Sequence, residues 1–309
     1  MPPLVETAQD VASRLCQGAD KIVARAGVVR RHVSGPHDTV ISLAIQASEQ
    51  ALGDGPPPDL ILNASTTFHQ LIPDNSVFIQ KGLNIAGVPS FSVHGTCLSF
   101  LLALHVAEAL LSKKAYRRVL ICSAELASRS RNWNEPESAV LLGDGAGAVV
   151  VEWADADCGM LEFLMTTWPD GSDLAEIRGF GVGRPPNGSG TRPDDHLFHM
   201  EGRELVRMIR PKLVDLVNQI LGRAGLARDD IDLVVPHQPS GPGLRLLQRL
   251  GFPKDRVVEI VEEYGNCVAA SLPMALATAV VENRLFDGAN VLLVGTSAGV
   301  SVAGMLLRW

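Results

Sequence analysis

One cysteine stands where reactive thiols are often found. In the stretch "SFSVHGTCLSF" (90–100), Cys97 follows Gly95 and Thr96 and precedes a long apolar run. A helix that begins here would direct free N–H groups and the positive end of its dipole at the sulfur, which favours a thiolate. A nucleophilic cysteine also needs a partner group beside it. Taken alone, the stretch is more typical of a buried structural thiol, because free cysteines are among the most buried residues.

Two polar residues in the second half of the chain could act with such a thiol. His237 ends the apolar run "IDLVVP", and side chains at strand ends of α/β sheets line ligand crevices. Its imidazole could serve as a general base or donate to an oxyanion. Asn266, in "EYGNCVAAS", precedes another apolar helix and could donate to an enolate oxygen, or simply cap that helix. Together, a Cys-His-Asn set supports thioester chemistry, in which the thiolate attacks and two donors hold the oxygen charge.

The composition describes a large and well-packed protein around these residues. The chain has 309 residues, 46% hydrophobic and 20% charged, which is enough for two domains or two halves. The net charge of −7 argues against a nucleic-acid or membrane-surface role. The five cysteines are odd in number and form no C-x-x-C pair, so we expect neither disulfides nor a metal site, and no cofactor. No secretory signal or bilayer-length apolar run is visible, which predicts a cytoplasmic protein.

Strands and helices alternate along the chain and would position these side chains. Apolar runs indicate strands at 59–65, 117–125, 146–153, 231–238 and 290–299. Helical segments are predicted at 39–52, 74–86, 97–112, 200–224 and 266–284. The first forty residues look helical and polar. The alternation predicts a layered α/β fold.

The two halves of the sequence repeat one pattern at an offset of about 170 residues. Cys97 opens an apolar helix that leads to the strand "RVLICSAE", and Asn266-Cys267 opens another that leads to "VLLVGTSAG". Any α/β protein repeats helix–turn–strand units, but the polar residue at the start of both helices favours a duplication. We therefore divide the chain into 1–153, which carries the cysteine, and 154–309, which carries the histidine and asparagine.

Four motifs, in order, resemble the β-ketoacyl-acyl-carrier-protein synthase III family of the thiolase superfamily. They are the nucleophile segment "SVHGTCLSFLLALHVAEALL", the glycine-rich "LLGDGAGAVVVE" (141–152), "PHQPS" for the family's H-Q-A-N, and "YGNCVAASLPMAL". The resemblance implies a thiolase fold, which is a duplicated five-layer αβαβα sandwich, and a homodimer. Family members begin with a strand and a glycine-rich turn ahead of the segment that is "PPLVETAQDV" here. We therefore expect a shortened N-terminus, or a first sheet that lacks a central strand.

The resemblance also implies roles in catalysis. Cys97 would take an acyl group from a thioester. His237 and Asn266 would bind the carbonyl of a malonyl-type thioester and stabilise the enolate that decarboxylation leaves. Backbone N–H groups of Cys97 and Ala298 would form the acyl oxyanion hole.

Further positions bear on substrate binding by the same resemblance. Arg25 matches an arginine near the tunnel mouth, Ile72 the residue that enters the partner subunit's pocket, and Ser240 replaces the last residue of H-Q-A-N. CoA-using members hold adenine between a tryptophan and an arginine, which are Lys21 and Pro136 here. The donor is therefore an acyl-ACP, or an acyl-CoA that is held differently. An acidic acyl carrier protein would need a basic rim, unless these are ordinary solvated side chains: Arg245, Arg249, Lys254 and Arg256.

Three functions fit these residues. The leading one is a condensing enzyme of fatty acid or polyketide-like secondary-metabolite biosynthesis that uses decarboxylative Claisen chemistry. The second is an acyltransferase that passes the cysteine-bound acyl group to an alcohol or amine without condensation. The third is a non-catalytic partner subunit of a heteromeric synthase, which the presence of all three catalytic side chains disfavours.

Overall fold

The computed structural model describes residues 1–154, 157–185 and 188–309. Its strands are β1 (Leu4–Thr7), β2 (Arg30–Val33), β3 (Leu60–Asn63), β4 (Ser90–Ser92), β5 (Arg118–Leu126), β6 (Asp144–Glu152), β7 (Gly159–Thr167), β8 (Ala175–Glu176), β9 (His199–Met200), β10 (Leu233–Pro236), β11 (Asn290–Ser297) and β12 (Ser301–Arg308). Its helices are α1 (Ala8–Leu15), α2 (Ala19–Ala26), α3 (Val40–Leu52), α4 (Asn75–Gly82), α5 (Ser99–Ser112), α6 (Pro136–Ala139), α7 (Gly202–Ala224), α8 (Gly241–Arg249), α9 (Val261–Tyr264) and α10 (Ser271–Val281). None of these helices is long and apolar enough to cross a membrane.

Two four-stranded sheets form the frame of the molecule. The first has the order β4-β3-β5-β6, with β3 parallel to β4 and β5, and β6 antiparallel to β5. The second has the order β10-β11-β12-β7, with β10 parallel to β11 and the other two pairs antiparallel. Every strand of the first sheet precedes residue 153, and every strand of the second follows residue 158.

Helices cover both faces of each sheet and give five layers. Strand β11 shows this by its alternation: Val291 and Leu293 face the core around α5 and α10, while Leu292 and Val294 face α7 and α8. On the outer face of the first sheet, α3 and α4 pack against β5. The layers are thus α3/α4, sheet, α5/α10, sheet, α7/α8, and the predicted αβαβα fold is confirmed.

The central helices explain two sequence features. Helices α5 and α10 are apolar around most of their circumference because they lie between two sheets. The glycines of "GDGAGA" let α10 come close to β6: a Cβ at Gly147 would lie 2.9 Å from the backbone nitrogen of Met274, and one at Gly145 2.6 Å from its sulfur. The motif is therefore a packing surface between a strand and a helix.

The structure differs from the sequence prediction near the N-terminus. The first forty residues include an antiparallel pair, β1 and β2, with Leu4 opposite Val33. Strand β1 is largely exposed, so its side chains lack the apolar alternation that marks a strand. The expectation that a strand is missing from the centre of the first sheet is wrong. Strand β7 lies at the sheet edge beside β12, and β6, the counterpart of β12, has no strand on its outer edge among the described residues.

Candidate active site

A cavity of about 500 Å³ with largely apolar walls runs between α7 and α8 and reaches the start of α5. Six of the seven predicted site positions line it: Arg25, Cys97, His237, Ser240, Asn266 and Ala298. Among the described residues, no three His, Cys, Asp or Glu side chains cluster as they would around a metal ion. One cavity thus contains the predicted thiol, Cys97, and the two predicted donors, His237 and Asn266.

The turn that carries Cys97 has an unusual backbone. It is a short 3-10 turn, Thr96–Leu98, that leads directly into α5. Thr96 has a φ of 51°, in the left-handed region that β-branched residues rarely adopt. A Cβ at Gly95 would lie 2.3 Å from Leu102 Cδ1, so any larger residue there would displace that leucine. The Ser99 hydroxyl accepts from the Gly95 N–H (3.0 Å) and donates to the Thr96 carbonyl (2.7 Å), which locks the turn.

Opposing effects act on the Cys97 sulfur. Burial, and after it the carboxylate of Glu125, raise the pKa of Cys97 to about 12. Hydrogen bonds from the backbone N–H groups of Cys97 and Ala298 act in the opposite direction. The resting thiol is therefore protonated at neutral pH. The two N–H groups are those predicted for the oxyanion hole.

His237 directly follows β10 and is 4% exposed. Burial lowers its pKa to about 4, and a hydrogen bond with the backbone of Val268 offsets this only in part. The imidazole is therefore neutral at pH 7, with one ring N–H. A neutral ring can donate to a carbonyl or enolate oxygen but adds no cation to the cavity.

A fully buried glutamine fixes this histidine. The Gln238 amide nitrogen donates to the carbonyls of Pro236 (3.0 Å) and Val258 (2.9 Å). Its oxygen accepts from the N–H groups of Ile260 (3.0 Å) and Val261 (3.1 Å). All four hydrogen bonds that the amide can make are thus used to hold the turn after β10. No role was predicted for Gln238, although an amide side chain directly after a buried strand is a signal that the sequence contains.

The Asn266 side chain has a defined orientation. Its Oδ1 accepts from the Val268 N–H (2.8 Å) and its Nδ2 donates to the Pro239 carbonyl (3.3 Å). Its backbone is paired on both sides, with the N–H on the Leu141 carbonyl (2.8 Å) and the carbonyl on the Gly143 N–H (3.0 Å). The oxygen caps the next turn, so the nitrogen keeps a second proton for the cavity. Capping and donation to a ligand are therefore compatible.

The two helix starts are equivalent, with a shift from the sequence prediction. The turn Val268–Ala270 precedes α10 as Thr96–Leu98 precedes α5, and Val268 also has a positive φ, of 46°. The residue that matches Cys97 is therefore Ala269. Asn266-Cys267, where the second helix was expected to open, lies directly before this turn, and Cys267 is buried.

Two positions predicted to bind substrate lie at the cavity wall. Arg25 is in the last turn of α2, and Gly27 directly follows the end of that helix. Gly27 packs on Gly241 so closely that a Cβ would lie 2.6 Å from the Gly241 Cα, which holds α2 against the start of α8. The Ser240 hydroxyl accepts from the Gly243 N–H (3.1 Å) and caps α8.

Ile72 does not line the cavity of its own chain. It is 84% exposed on the loop between β3 and α4, beside Leu71 (72%) and Phe68 (55%). Lys21 and Pro136 are also outside the cavity lining.

The predicted basic rim divides into two kinds of side chain. Arg245 and Arg249 are exposed on α8. Arg256 instead donates to the carbonyls of Asp229 (2.9 Å) and Ile231 (3.1 Å) and so has a structural role. Lys254 lies 3.9 Å from a carboxylate oxygen of Glu259.

The chain matches known proteins over nearly its full length. The family model for 3-oxoacyl-[acyl-carrier-protein] synthase III matches residues 91–169, and the model for the C terminal of that enzyme matches residues 221–309. The β-ketoacyl-[acyl-carrier-protein] synthase III of Erythrobacter litoralis is 34% identical over 317 residues, which is 100% of this chain and 96% of the relative. The crystal structure of 3-oxoacyl-[acyl-carrier-protein] synthase III from Aquifex aeolicus has a TM-score of 0.91 at 27% identity and covers 100% of this chain and 97% of its own. The priming β-ketosynthase of the R1128 polyketide pathway has a TM-score of 0.88 at 25% identity, with 99% and 93% covered. The chain belongs to the β-ketoacyl-acyl-carrier-protein synthase III family.

Proposed function

We propose that this chain is a ketoacyl-ACP synthase III-like condensing enzyme that carries its acyl group on Cys97. The observation that carries the proposal is the convergence of three groups in one largely apolar cavity. They are a thiol at a helix start, a neutral imidazole and an amide whose nitrogen is directed by its own hydrogen bonds: Cys97, His237 and Asn266.

In the first half-reaction, the Cys97 sulfur attacks the carbonyl carbon of an acyl thioester. The oxyanion that forms accepts from the N–H groups of Cys97 and Ala298, which already point at the sulfur. Collapse of this intermediate breaks the carbon–sulfur bond of the donor. The donor's thiol leaves with the proton that Cys97 gives up, and the acyl group stays on the enzyme.

In the second half-reaction, a malonyl-type thioester places its carbonyl oxygen against His237 and the Asn266 nitrogen. Its carbon–carboxylate bond breaks, carbon dioxide leaves, and the electron pair forms an enolate held by these two neutral donors. The enolate carbon attacks the acyl carbon on Cys97. The sulfur departs as a thiolate and takes a proton from water, and a β-ketoacyl thioester is released.

The same site favours an acyl carrier protein as the source of the acyl group. Lys21 and Pro136 supply neither the tryptophan nor the arginine of an adenine sandwich. Arg245 and Arg249 offer exposed positive charge on the helix that borders the cavity, as an acidic partner requires. Arg25 would meet the carrier's phosphate at the mouth, and acyl-CoA remains the alternative donor.

A second copy of this chain would complete the site. The loop with Phe68, Leu71 and Ile72 exposes large apolar side chains, and Phe91 in the edge strand β4 is 40% exposed. Contiguous exposed apolar side chains of this size mark an interaction surface. In the proposed homodimer, Ile72 enters the partner's acyl pocket. The same proposal includes two functional halves, 1–153 and 154–309, substrate contacts of Ser240 and a cytoplasmic location.

The test separates acyl loading from condensation. Wild-type protein is incubated with acyl-ACP or acyl-CoA, and the Cys97 peptide is examined by mass spectrometry for the acyl mass. Carbon dioxide release is then measured with a carboxyl-labelled malonyl thioester. We expect Cys97→Ser to lose the adduct, and Asn266→Ala to keep the adduct but lose carbon dioxide release.

Two results would contradict the proposal. Absence of an acyl adduct on Cys97 with every donor removes the nucleophile. An adduct that passes to an alcohol or amine, with no carbon dioxide released from the malonyl thioester, identifies the acyltransferase alternative.

A further inference from the structure

One buried acid next to the site has no part in the steps above. Glu125, near the end of β5, is 1% exposed. Its Oε1 accepts from the Thr66 N–H (2.5 Å), and its Oε2 accepts from the Thr67 N–H (2.9 Å) and hydroxyl (2.6 Å). A buried carboxylate that accepts three hydrogen bonds holds the backbone that supplies the donors in place.

That backbone is the base of the exposed apolar loop. Thr66 and Thr67 follow β3, and the loop continues through Ile72 to the start of α4. Asn75, also buried, holds the loop from its other end. Its side chain accepts from the His69 N–H (2.9 Å) and donates to the Thr67 carbonyl (2.8 Å). Two buried polar side chains thus fix the loop, and only Glu125 carries a charge.

Glu125 also lies near the thiol, because β5 contacts the Val268–Ala270 turn, which in turn contacts the Thr96–Leu98 turn that carries Cys97. After burial, its negative charge is the largest effect that raises the pKa of Cys97. Burial raises the pKa of Glu125 itself to about 7, although the N–H and hydroxyl donors of Thr66 and Thr67 lower it. The position of the loop and the charge beside Cys97 are therefore coupled, because displacing the donors would favour protonation of the carboxylate.

We propose that Glu125 is a positioning residue of the acylation site, which fastens the base of the Ile72 loop and sets the negative charge beside Cys97. This rests on the proposed function, since it assigns the acyl group to Cys97. Above about pH 7, where Glu125 is ionised, its charge disfavours the thiolate in the resting protein, and the donors of the loop favour that ionised form.

Other ionisable groups lie around Cys97 and Cys267. His237 shares the cavity with Cys97 and is neutral at pH 7. The buried Cys267 also responds to Glu125, and its further charged neighbours are the carboxylate of Asp144, the guanidinium of Arg31 and the N-terminal amino group. The pKa of Cys267 is raised well above its ordinary value, so it stays protonated over the range tested.

The experiment measures the rate of iodoacetamide alkylation of Cys97 from pH 5.5 to 9.5, a range of about four units around the pKa of Glu125. Peptide mass spectrometry follows Cys97 separately from the exposed Cys16 and Cys158. In the wild type, we expect the logarithm of the rate to rise less steeply as Glu125 ionises near pH 7. In Glu125→Gln, we expect a straight line and faster alkylation above pH 8, by about tenfold for each unit by which the pKa of Cys97 falls.

The matched control is Thr67→Val, which removes a hydroxyl donor and keeps the charge. We expect its profile to keep the bend, moved to higher pH, because the lost donor no longer lowers the pKa of Glu125. This variant decides the matter alone should Glu125→Gln fail to fold. The inference would be overturned if the plots of the logarithm of the alkylation rate against pH had the same shape over the whole range for the wild type and Glu125→Gln. It would also be overturned if the bend occurred at the same pH in Thr67→Val as in the wild type. Acyl loading of wild-type Cys97, measured in parallel, shows separately whether the proposed function holds.

Discussion

Replacement of Gln238 by alanine should damage both stability and catalysis, although the glutamine contacts no predicted substrate. The change leaves two carbonyls and two N–H groups without the partners they have now, those of Pro236, Val258, Ile260 and Val261. An unsatisfied buried group costs about 1–3 kcal/mol. Water entering the vacated space restores part of this, so we expect a loss of ~4 kcal/mol in the free energy of unfolding, the low end of the sum over four groups.

Urea denaturation at one fixed protein concentration measures this loss, since a dimer would unfold at a concentration-dependent midpoint. The substitution Gln238→Glu is an informative second variant. In Gln238→Glu, one oxygen keeps the N–H donors, but the other faces two carbonyls and must be protonated to donate. The folded-state pKa of this acid is then raised above its unfolded value. Its stability is therefore highest below the unfolded pKa of about 4.3 and is lost as the pH rises through the folded pKa.

Two results would refute this reasoning. One is an alanine variant within about 1 kcal/mol of the wild type, because a network of four bonds to buried groups cannot then carry the turn. The other is a Gln238→Glu variant with the same dependence of stability on pH as the wild type. Normal carbon dioxide release from a folded alanine variant would show, in addition, that His237 does not depend on the glutamine for its position.

Two further predictions concern the position and protonation of His237. Gly295→Ala places a Cβ 2.9 Å from Leu98 Cδ2 and 3.1 Å from the His237 Cβ. We therefore expect a condensation rate about 10²-fold lower than that of the wild type, with the thermal midpoint of unfolding close to the wild-type value. A rate within about twofold of the wild-type rate would contradict this prediction. Because burial lowers the pKa of His237 to about 4, condensation should show no loss from histidine protonation as the pH falls from 8 to 5, in a stopped assay of carbon dioxide release. A decline centred near pH 6.5, the ordinary histidine value, would show that the ring is solvated during the reaction.

The sequence predicted the parts of the site that depend on residue type, and missed those that depend on position in space. The Cys97, His237 and Asn266 side chains follow glycine turns or strand ends, and the structure brings all three to one cavity. Glu125 lies within a strand whose neighbours are apolar, so nothing along the chain distinguishes it from an exposed edge residue. Only the path of the loop at Thr66 makes it a buried anchor.

Backbone conformation accounts for the other differences. The sequence did not identify Ala269 as the equivalent of Cys97, because both helices follow a 3-10 turn whose first residue is left-handed, and neither feature has a fixed residue type. The pair β1 and β2 was missed because four-residue strands with exposed side chains gain their stability from neighbours far along the chain.

The two strained turns explain why a duplicated fold suits this chemistry. Thr96 and Val268 adopt the same left-handed conformation at the starts of α5 and α10, and the two turns contact each other between the sheets. The first turn supplies a thiol, while the second is capped by an amide whose nitrogen faces the cavity. In the proposed mechanism, each half thus provides one helix start to the same space, one for the acyl group and one for the enolate. Because the turns lie in the middle layer between two sheets, neither group needs a mobile loop to reach its place. In the proposal, the loop that Glu125 anchors has a separate task, which is to bring Ile72 to the partner's acyl pocket.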